Sequence, residues 1–484
     1  MSPTADTKAG DAGGTAAREP RPHWGALAAL SLSTTCFALS ASIVIVALPT
    51  MAESFAASFA QIQWLIIAYL LATTVLIVSV GRLSDIVGRR KLLVAGLLVF
   101  LGASVLGGTA SSLWVVICAR GLQGLGGAMM VALSMALVSE TVPRDGIGRA
   151  MGLLATMSAV GTASGAPLGG LLTTAFGWRS VFLVNVPLGL LALLLAFLFV
   201  PADRTVPGAA RQRFDILGTL LLAATLSAYA LAMTTGGNAG SGSAWLLAAA
   251  VAGTGLFIFS QARTASPLVR LSAFRKPDFS AGLFDNMVVM MVATMTTLVG
   301  PFYLSGAIGL NDALVGVVMA IGPITAVLGS VVVGRLVDRL GTPRMIVSGL
   351  ILAGVGLGGV AALATMLGLA GFIIGTTVFS LGYIMFVVAN NTAIMSGAEQ
   401  DHRGVVSGML NLARNFGSII AASALGTLFA SVSGAADVAL ASPEGLVRGT
   451  QITFAVAAGF VAVSIAVSLS LRGCFRSPAG PAGE

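Results

Sequence analysis

Residues Gly81 to Lys91 read GRLSDIVGRRK, one acid and four bases set between two long apolar runs, Trp64–Val80 and Leu92–Leu106. Hydrocarbon does not hold such a cluster, so the stretch is predicted to be a short loop in water on one membrane face. A reduced copy, GRLVDRLGTPR, returns at Gly334–Arg344. Gly81, Arg82, Leu83, Asp85, Gly88 and Lys91 are matched there by Gly334, Arg335, Leu336, Asp338, Gly341 and Arg344. Two copies far apart, each following an apolar run, predict a duplicated membrane architecture of the kind transporters use.

Composition agrees. The 484 residues are 56% hydrophobic and 9% charged, with a mean hydropathy of +0.97. Soluble domains carry about 25% charged residues. An all-α polytopic membrane protein is therefore expected, its core a helix bundle in lipid. The 61 glycines suit close helix–helix approach. Continuous rather than alternating apolar runs argue against a β-barrel. The net charge of +8 is spread over alternate loops, which fits topological sorting and not nucleic-acid binding. Cys36, Cys118 and Cys474 form neither a metal spacing nor a disulfide framework, and His23 and His402 flank apolar segments. No metal site is expected. The chain has no GxxxxGK[ST], HExxH or GxSxG, so neither an ATP-driven machine nor an enzyme is expected.

Windows of about twenty apolar residues predict fourteen spans. They fall near 24–49, 62–81, 92–111, 113–138, 149–173, 180–200, 215–235, 244–262, 280–305, 313–336, 345–366, 368–390, 404–431 and 449–471. With both termini in the cytoplasm, the inner segments collect nearly all the loop bases, and the outer loops hold only Arg179 and Arg448. The copies of the opening stretch follow spans two and ten, so two spans are added between two six-span halves. The predicted division is a disordered tail (1–22), an N-terminal six-helix bundle (23–203), a two-helix insertion (204–265), a C-terminal six-helix bundle (266–473) and a second tail (474–484). The inserted pair is expected to pack outside the main bundle.

Two further stretches lie inside spans. RGLQGLGGA at Arg120–Ala128 puts a guanidinium in the fourth span. Such a charge faces a wet cavity or a partner. Arg120 is read as lining the transport path and tuning a nearby proton site, the alternative being a structural Arg capped by carbonyls. ASGAPLGG at Ala163–Gly170 thins the fifth span through Gly165, Gly169 and Gly170, and Pro167 bends it. It is either a rocking seam between the halves or ordinary small-residue packing.

These stretches resemble those of the major facilitator superfamily. GRLSDIVGRRK is similar to its loop signature, RGLQGLGGA to its fourth-helix motif and GTASGAPLGG to its antiporter motif, with Ala166 where a Gly commonly precedes the Pro. QWLIIAY (Gln63–Tyr69), WRSVFLVNVPLG (Trp178–Gly189), Asp215 with Gly218, and RGVVSGMLNLARNFG (Arg403–Gly417) resemble its fourteen-helix drug:proton antiporter branch. The resemblance implies a major facilitator fold and proton-driven export of drug-like, lipophilic or cationic molecules across the cell membrane. It implies no cofactor beyond the proton gradient, and a monomer is expected. Gly81, Arg82, Asp85, Gly88, Arg89 and Arg90, with Gly334, Arg335, Asp338 and Gly341, would form a cytoplasmic gating latch. One departure stands out. The family's first span often carries an Asp and an Asn before ALP, whereas here Ser40 and Ile45 occupy those places.

The proton then needs another carrier. Asp285 is the candidate, about six residues or ~9 Å into the ninth span. The alternative places it at the rim with Arg275 or Lys276. Asp215 and Asp312 fall at span ends and read as caps or interfacial charges. Trp64, Tyr69, Gln123, Met287, Met290, Tyr303 and Tyr383, with Asn411 and Arg414 of the thirteenth span, are the candidates for an adaptable cavity lining. A dedicated exporter of one endogenous metabolite or antibiotic is the second functional reading, because cationic drugs favour a buried negative partner that the first span lacks.

Overall fold

A computed structural model describes residues 24–142, 146–203, 215–235, 241–264, 274–396, 403–434 and 441–471. The tails 1–22 and 474–484 lie outside the described residues, as do the side chains of Gly81, Arg82 and Asp85. Helices α1 (Trp24–Val46), α2 (Leu48–Ser54), α3 (Phe59–Ile62) and α4 (Trp64–Val87) open the chain. They are followed by α5 (Arg89–Thr109), α6 (Leu113–Thr141), α7 (Ile147–Phe176), α8 (Ser180–Leu183) and α9 (Asn185–Phe199). Then come α10 (Ile216–Thr235), α11 (Ser241–Arg263) and α12 (Pro277–Phe302), which runs into a π-helical turn at Tyr303–Ala307. The chain closes with α13 (Asp312–Leu340), α14 (Thr342–Leu367), α15 (Leu369–Ser396), α16 (Arg403–Ile420), a second π-turn at Ala421–Leu425, α17 (Gly426–Val432) and α18 (Pro443–Leu471). No strand occurs among the described residues.

Thirteen helical stretches among the described residues are long and apolar enough to cross a bilayer. The 30-residue α7 is not one of the thirteen. Its glycines and small polar residues dilute its hydropathy, yet it packs lengthwise against α1 and α13. Including α7 is compatible with the fourteen predicted spans.

The opening stretch is not the loop expected from its charges. Gly81–Val87 are the last two turns of α4, Gly88 alone links the helices, and Arg89 begins α5. The copy behaves alike, with α13 continuing to Leu340 and Gly341 alone leading into α14. Gly88 has φ +102° and Gly341 φ +81°, a region costly for residues with a Cβ. The shared glycine therefore marks a one-residue reversal between two helices.

Helices α1 and α4–α9 pack mainly on one another, as do α12–α18, and α7 against α13 is the largest contact between the two groups. Small residues allow close crossings: Gly349, Gly356 and Gly382 bring α14 and α15 backbone to backbone. The inserted pair is not simply outside the bundle. α11 leans on α10 and is otherwise exposed. α10 touches the first group at Ser79, whose hydroxyl meets that of Thr219 at 3.1 Å. It touches the second where the Thr427 hydroxyl donates to the Met233 carbonyl at 3.0 Å.

Among the described residues, the buried apolar ones fall into three clusters. One apolar core joins both groups, from Leu39–Ile67 on one side to Val288–Leu304 and Phe429 on the other, and runs on through the second group to Val337 and Met345 beside Gly341. Toward Gly88, the first group closes a core of its own around Leu27, Val80, Leu97 and Ala196. A third core, around Leu283, Met409 and Leu412, also takes in Leu222 and Leu226 of α10 and is packed against by Leu70 and Leu71 of α4. The shared core joins the two groups, and the third cluster meets the first group through α10 and through Leu70 and Leu71.

Candidate functional site

Within the first group, Arg120 is 1% exposed. Its Nε donates to the Leu65 carbonyl of α4 at 3.1 Å. Its Nη1 donates to the Ser40 carbonyl of α1 at 3.1 Å, to Ser40 Oγ at 3.3 Å and to Gln123 Oε1 at 3.0 Å. The guanidinium lies 4.2 Å from the centre of the Tyr69 ring, whose hydroxyl donates to the Phe37 carbonyl at 3.3 Å. Gln123 Nε2 donates to Ser104 Oγ at 2.9 Å. Each contact is a carbonyl, hydroxyl, amide or ring face, so neutral dipoles solvate the charge. This is the carbonyl-capped arrangement, tying α1, α4, α5 and α6 together. Arg120, Tyr69 and Gln123 are buried in the group's interior.

Asp285 lies eight residues past the start of α12, about 12 Å along the helix, and is wholly buried. Its two carboxylate oxygens accept from Ser464 Oγ and Ser468 Oγ of α18, each at 2.6 Å. Serines four apart share one helix face, and both hydroxyls reach one carboxylate. Ser464 and Ser468 escaped the sequence reading. Their only signal was a pair of polar residues at helical spacing in an apolar span. The rim position, beside Arg275 or Lys276, is not where the structure puts Asp285: Lys276 precedes α12 and Arg275 is exposed.

The antiporter-like stretch forms the seam between the groups. Gly165 and Gly169 lie against Ser42 and Ile43 of α1. Gly170 lies against the Asp312 carbonyl, and Gly316 of α13 against that of Ala166, so a Cβ at either glycine has no room. Pro167 sits inside the uninterrupted α7. Beside this seam the Thr50 hydroxyl donates to Asp312 Oδ2 at 2.7 Å, while Asn311 caps α13 through the Leu314 amide at 2.9 Å. Phe59 of α3 packs on Phe302 and Phe429, with ring centres 5.0 and 5.4 Å apart. Asp312 thus bridges the halves, and Asn311 is the cap. Asp215 does act as a cap, accepting from the Gly218 amide and from Gln261 Nε2, each at 2.8 Å.

At the opposite end, a residue the sequence reading did not single out holds the opening stretch. Asp203 accepts from the amides of Arg90 at 2.7 Å and Lys91 at 3.2 Å, filling the N-terminus of α5. The Arg90 guanidinium donates to the Phe197 carbonyl at the end of α9 at 2.6 Å. Arg82 and Asp85, the expected heart of the latch, fall among the side chains outside the described residues. Arg335 and Asp338 are exposed on the last turns of α13.

The expected cavity lining is dispersed. Tyr303 is fully buried, donates to the Ala364 carbonyl at 2.9 Å and stacks on Phe372, so it is a core residue of the second group. Tyr383 donates to Met290 Sδ at 3.4 Å. Trp64, Met287, Met290, Asn411 and Arg414 are half-buried, and the Asn411 amide turns back to the Ser407 carbonyl.

A duplicated bundle of membrane-spanning helices, joined along α7 and α13 and carrying a buried carboxyl, defines a polytopic transporter. The family model described as Major Facilitator Superfamily matches residues 30–422 and 287–481, and the chain belongs to that family. It is 31% identical over 409 residues to Multidrug resistance protein Stp of Mycobacterium tuberculosis, covering 84% of this chain and 75% of the relative. It is 30% identical over 418 residues to the tetracenomycin C resistance and export protein of Streptomyces glaucescens, covering 84% and 76%. It is 28% identical over 411 residues to Riboflavin transporter RibZ of Clostridioides difficile, covering 85% and 88%. Among solved structures, the nucleoside transporter NupG superposes with a TM-score of 0.66 at 12% identity, over 93% of this chain and 100% of that one. An inward-facing bacterial homolog of the lysosomal transporter Spinster gives 0.66 at 16% identity, over 94% and 99%. The protein is a multi-pass plasma-membrane transporter of small molecules.

Proposed function

We propose that this transporter is a proton-coupled exporter of drug-like, lipophilic or cationic molecules, working by alternating access. The observation that carries the reading is Asp285, a wholly buried carboxyl gripped by two hydroxyls of the last span. An intramembrane acid is costly and marks a proton or ion path. Names given to relatives, multidrug resistance and antibiotic export among them, support the direction and the class of cargo. The sorting of loop bases supports a cytoplasmic Gly88, which would set the seam at Thr50 and Asp312 toward the outer face and the cargo entrance at the Gly88 end. Arg82, Asp85 and their copies Arg335 and Asp338 would latch that end in the opposite state. The test uses purified protein in liposomes. Adding ethidium, a lipophilic cation, releases protons and partly collapses an imposed pH gradient, and Asp285→Asn abolishes the release. Proton release that survives Asp285→Asn assigns the coupling elsewhere.

A second reading, a dedicated exporter of one endogenous metabolite or antibiotic, is favoured by one observation. The dipoles around Arg120 come from Ser40 where the family often carries an acid, and cationic cargo gains nothing there. Resistance confined to one neutral compound, with no protection against cationic dyes, would select it.

A further inference from the structure

We infer that Ser464 and Ser468 are positioning residues that set the proton affinity of Asp285 and make its protonation felt by α18. The inference rests on the proton role proposed for Asp285. Three side chains meet in a site without exposure: the carboxyl of α12 and two hydroxyls one turn apart on α18, both at 2.6 Å. Distances of 2.6 Å suit hydroxyls donating to a carboxylate. Both hydroxyls come from one face of α18, so the two bonds act together on the carboxyl.

Proton arrival changes the direction of one bond. The proton binds one carboxylate oxygen, and the new O–H donates to the serine oxygen that formerly donated to it. That serine's own hydrogen turns back to the carbonyl four residues earlier, Phe460 for Ser464 or Ser464 for Ser468. No bond between heavy atoms forms or breaks. The pair of charge-assisted bonds joining α12 to α18 becomes neutral, and the two helices are held less firmly. Proton occupancy is thereby translated into freedom of the last span.

Charges on the elements packed against α12 bear on the same carboxyl. α18 carries Glu444 and Arg448 at its far end, and α16 carries Arg414 and, at its start, Arg403. α2 carries Glu53, and α13 carries Asp312, Arg335, Asp338 and Arg339. α12 itself carries Asp278 in its first turn. α1, α15, α17 and the two π-turns carry no charge, although α15 and the first π-turn hold Tyr383 and Tyr303. None of these is altered by the variants below.

The test compares Ser464→Ala, Ser468→Ala and the double variant with their threonine counterparts, in the full chain reconstituted in liposomes. Infrared difference spectroscopy follows the carbonyl stretch of the protonated acid during a pH titration, with Asp285→Asn identifying the band. Each alanine moves the midpoint up by about one pH unit, and threonine, which keeps the hydroxyl, restores it. Ethidium movement driven by an imposed pH gradient shifts its pH profile in the same sense. A midpoint unchanged in the alanine variants, with the band still lost in Asp285→Asn, overturns the role of the serines and leaves the proton site standing. Gradient-driven transport unaffected by Asp285→Asn overturns both. A midpoint that follows sodium concentration instead of pH overturns the proton assignment.

Discussion

Arg120 and Asp285 show how a bundle in lipid carries charge at the level of single residues. Arg120 is solvated by dipoles from three helices, whereas Asp285 accepts from two hydroxyls of α18. The difference is testable. Arg120→Leu leaves the Leu65 and Ser40 carbonyls and Gln123 Oε1 without their donor, at a cost of about 2–4 kcal/mol. Ser40→Ala removes the longest of these bonds and keeps the carbonyl, costing under ~1 kcal/mol. Thermal unfolding of the purified variants in detergent should separate the two plainly. Equal losses would mean that the hydroxyl, not the backbone, holds the guanidinium.

For the helices, termini and crossings are decisive. Gly88 and Gly341 each reverse the chain in one residue at positive φ, so alanine at Gly341 costs about 1–2 kcal/mol of strain, and at Gly88 more, because its Cβ would also meet the Asp203 carboxylate. Asp203 fills the start of α5 from more than a hundred residues away. Asp203→Ala should cost about 0.5–2 kcal/mol and loosen the junction of α4 and α5, read as faster amide hydrogen exchange at Arg90 and Lys91. The seam of α7 and α13 depends on absent side chains. Gly316→Leu has no room beside the Ala166 carbonyl, so it should prise the seam apart and abolish transport while the protein still purifies as a monodisperse species. Normal transport by Gly316→Leu would show that the seam is not where the halves must close.

For the whole molecule, the contact of Thr50 with Asp312 beside the seam predicts where the two groups must part. Cysteines replacing Thr50 and Asp312, whose side chains meet at 2.7 Å, should cross-link readily and stop turnover by locking the seam. Reduction should restore transport to a Thr50→Cys, Asp312→Cys protein to the extent that loss of the native bond allows. Cysteines at Arg82 and Arg335 should react with a membrane-impermeant maleimide from the same face. Labelling from opposite faces would end the duplicated topology on which every orientation here depends.

The sequence alone showed a helical membrane bundle of the major facilitator kind and predicted two related halves with two spans between them. Hydropathy and charge spacing report directly on which segments leave water, and each is read within a single helix. It also located Arg120, Asp285 and the glycines of α7, because charge and missing bulk inside an apolar run stand out locally. What tertiary structure alone decided was partnership. The opening stretch became two helices joined at Gly88, since helix ends are set by caps such as Asp203 that lie far away in the chain. Tyr303 turned into the core of the second group, and Arg120 found carbonyls on neighbouring helices. Ser464 and Ser468 met Asp285 across 179 and 183 residues. A hydropathy profile records how apolar each span is and nothing of the angle at which it faces its neighbours, and that angle chooses the partner of every buried polar group.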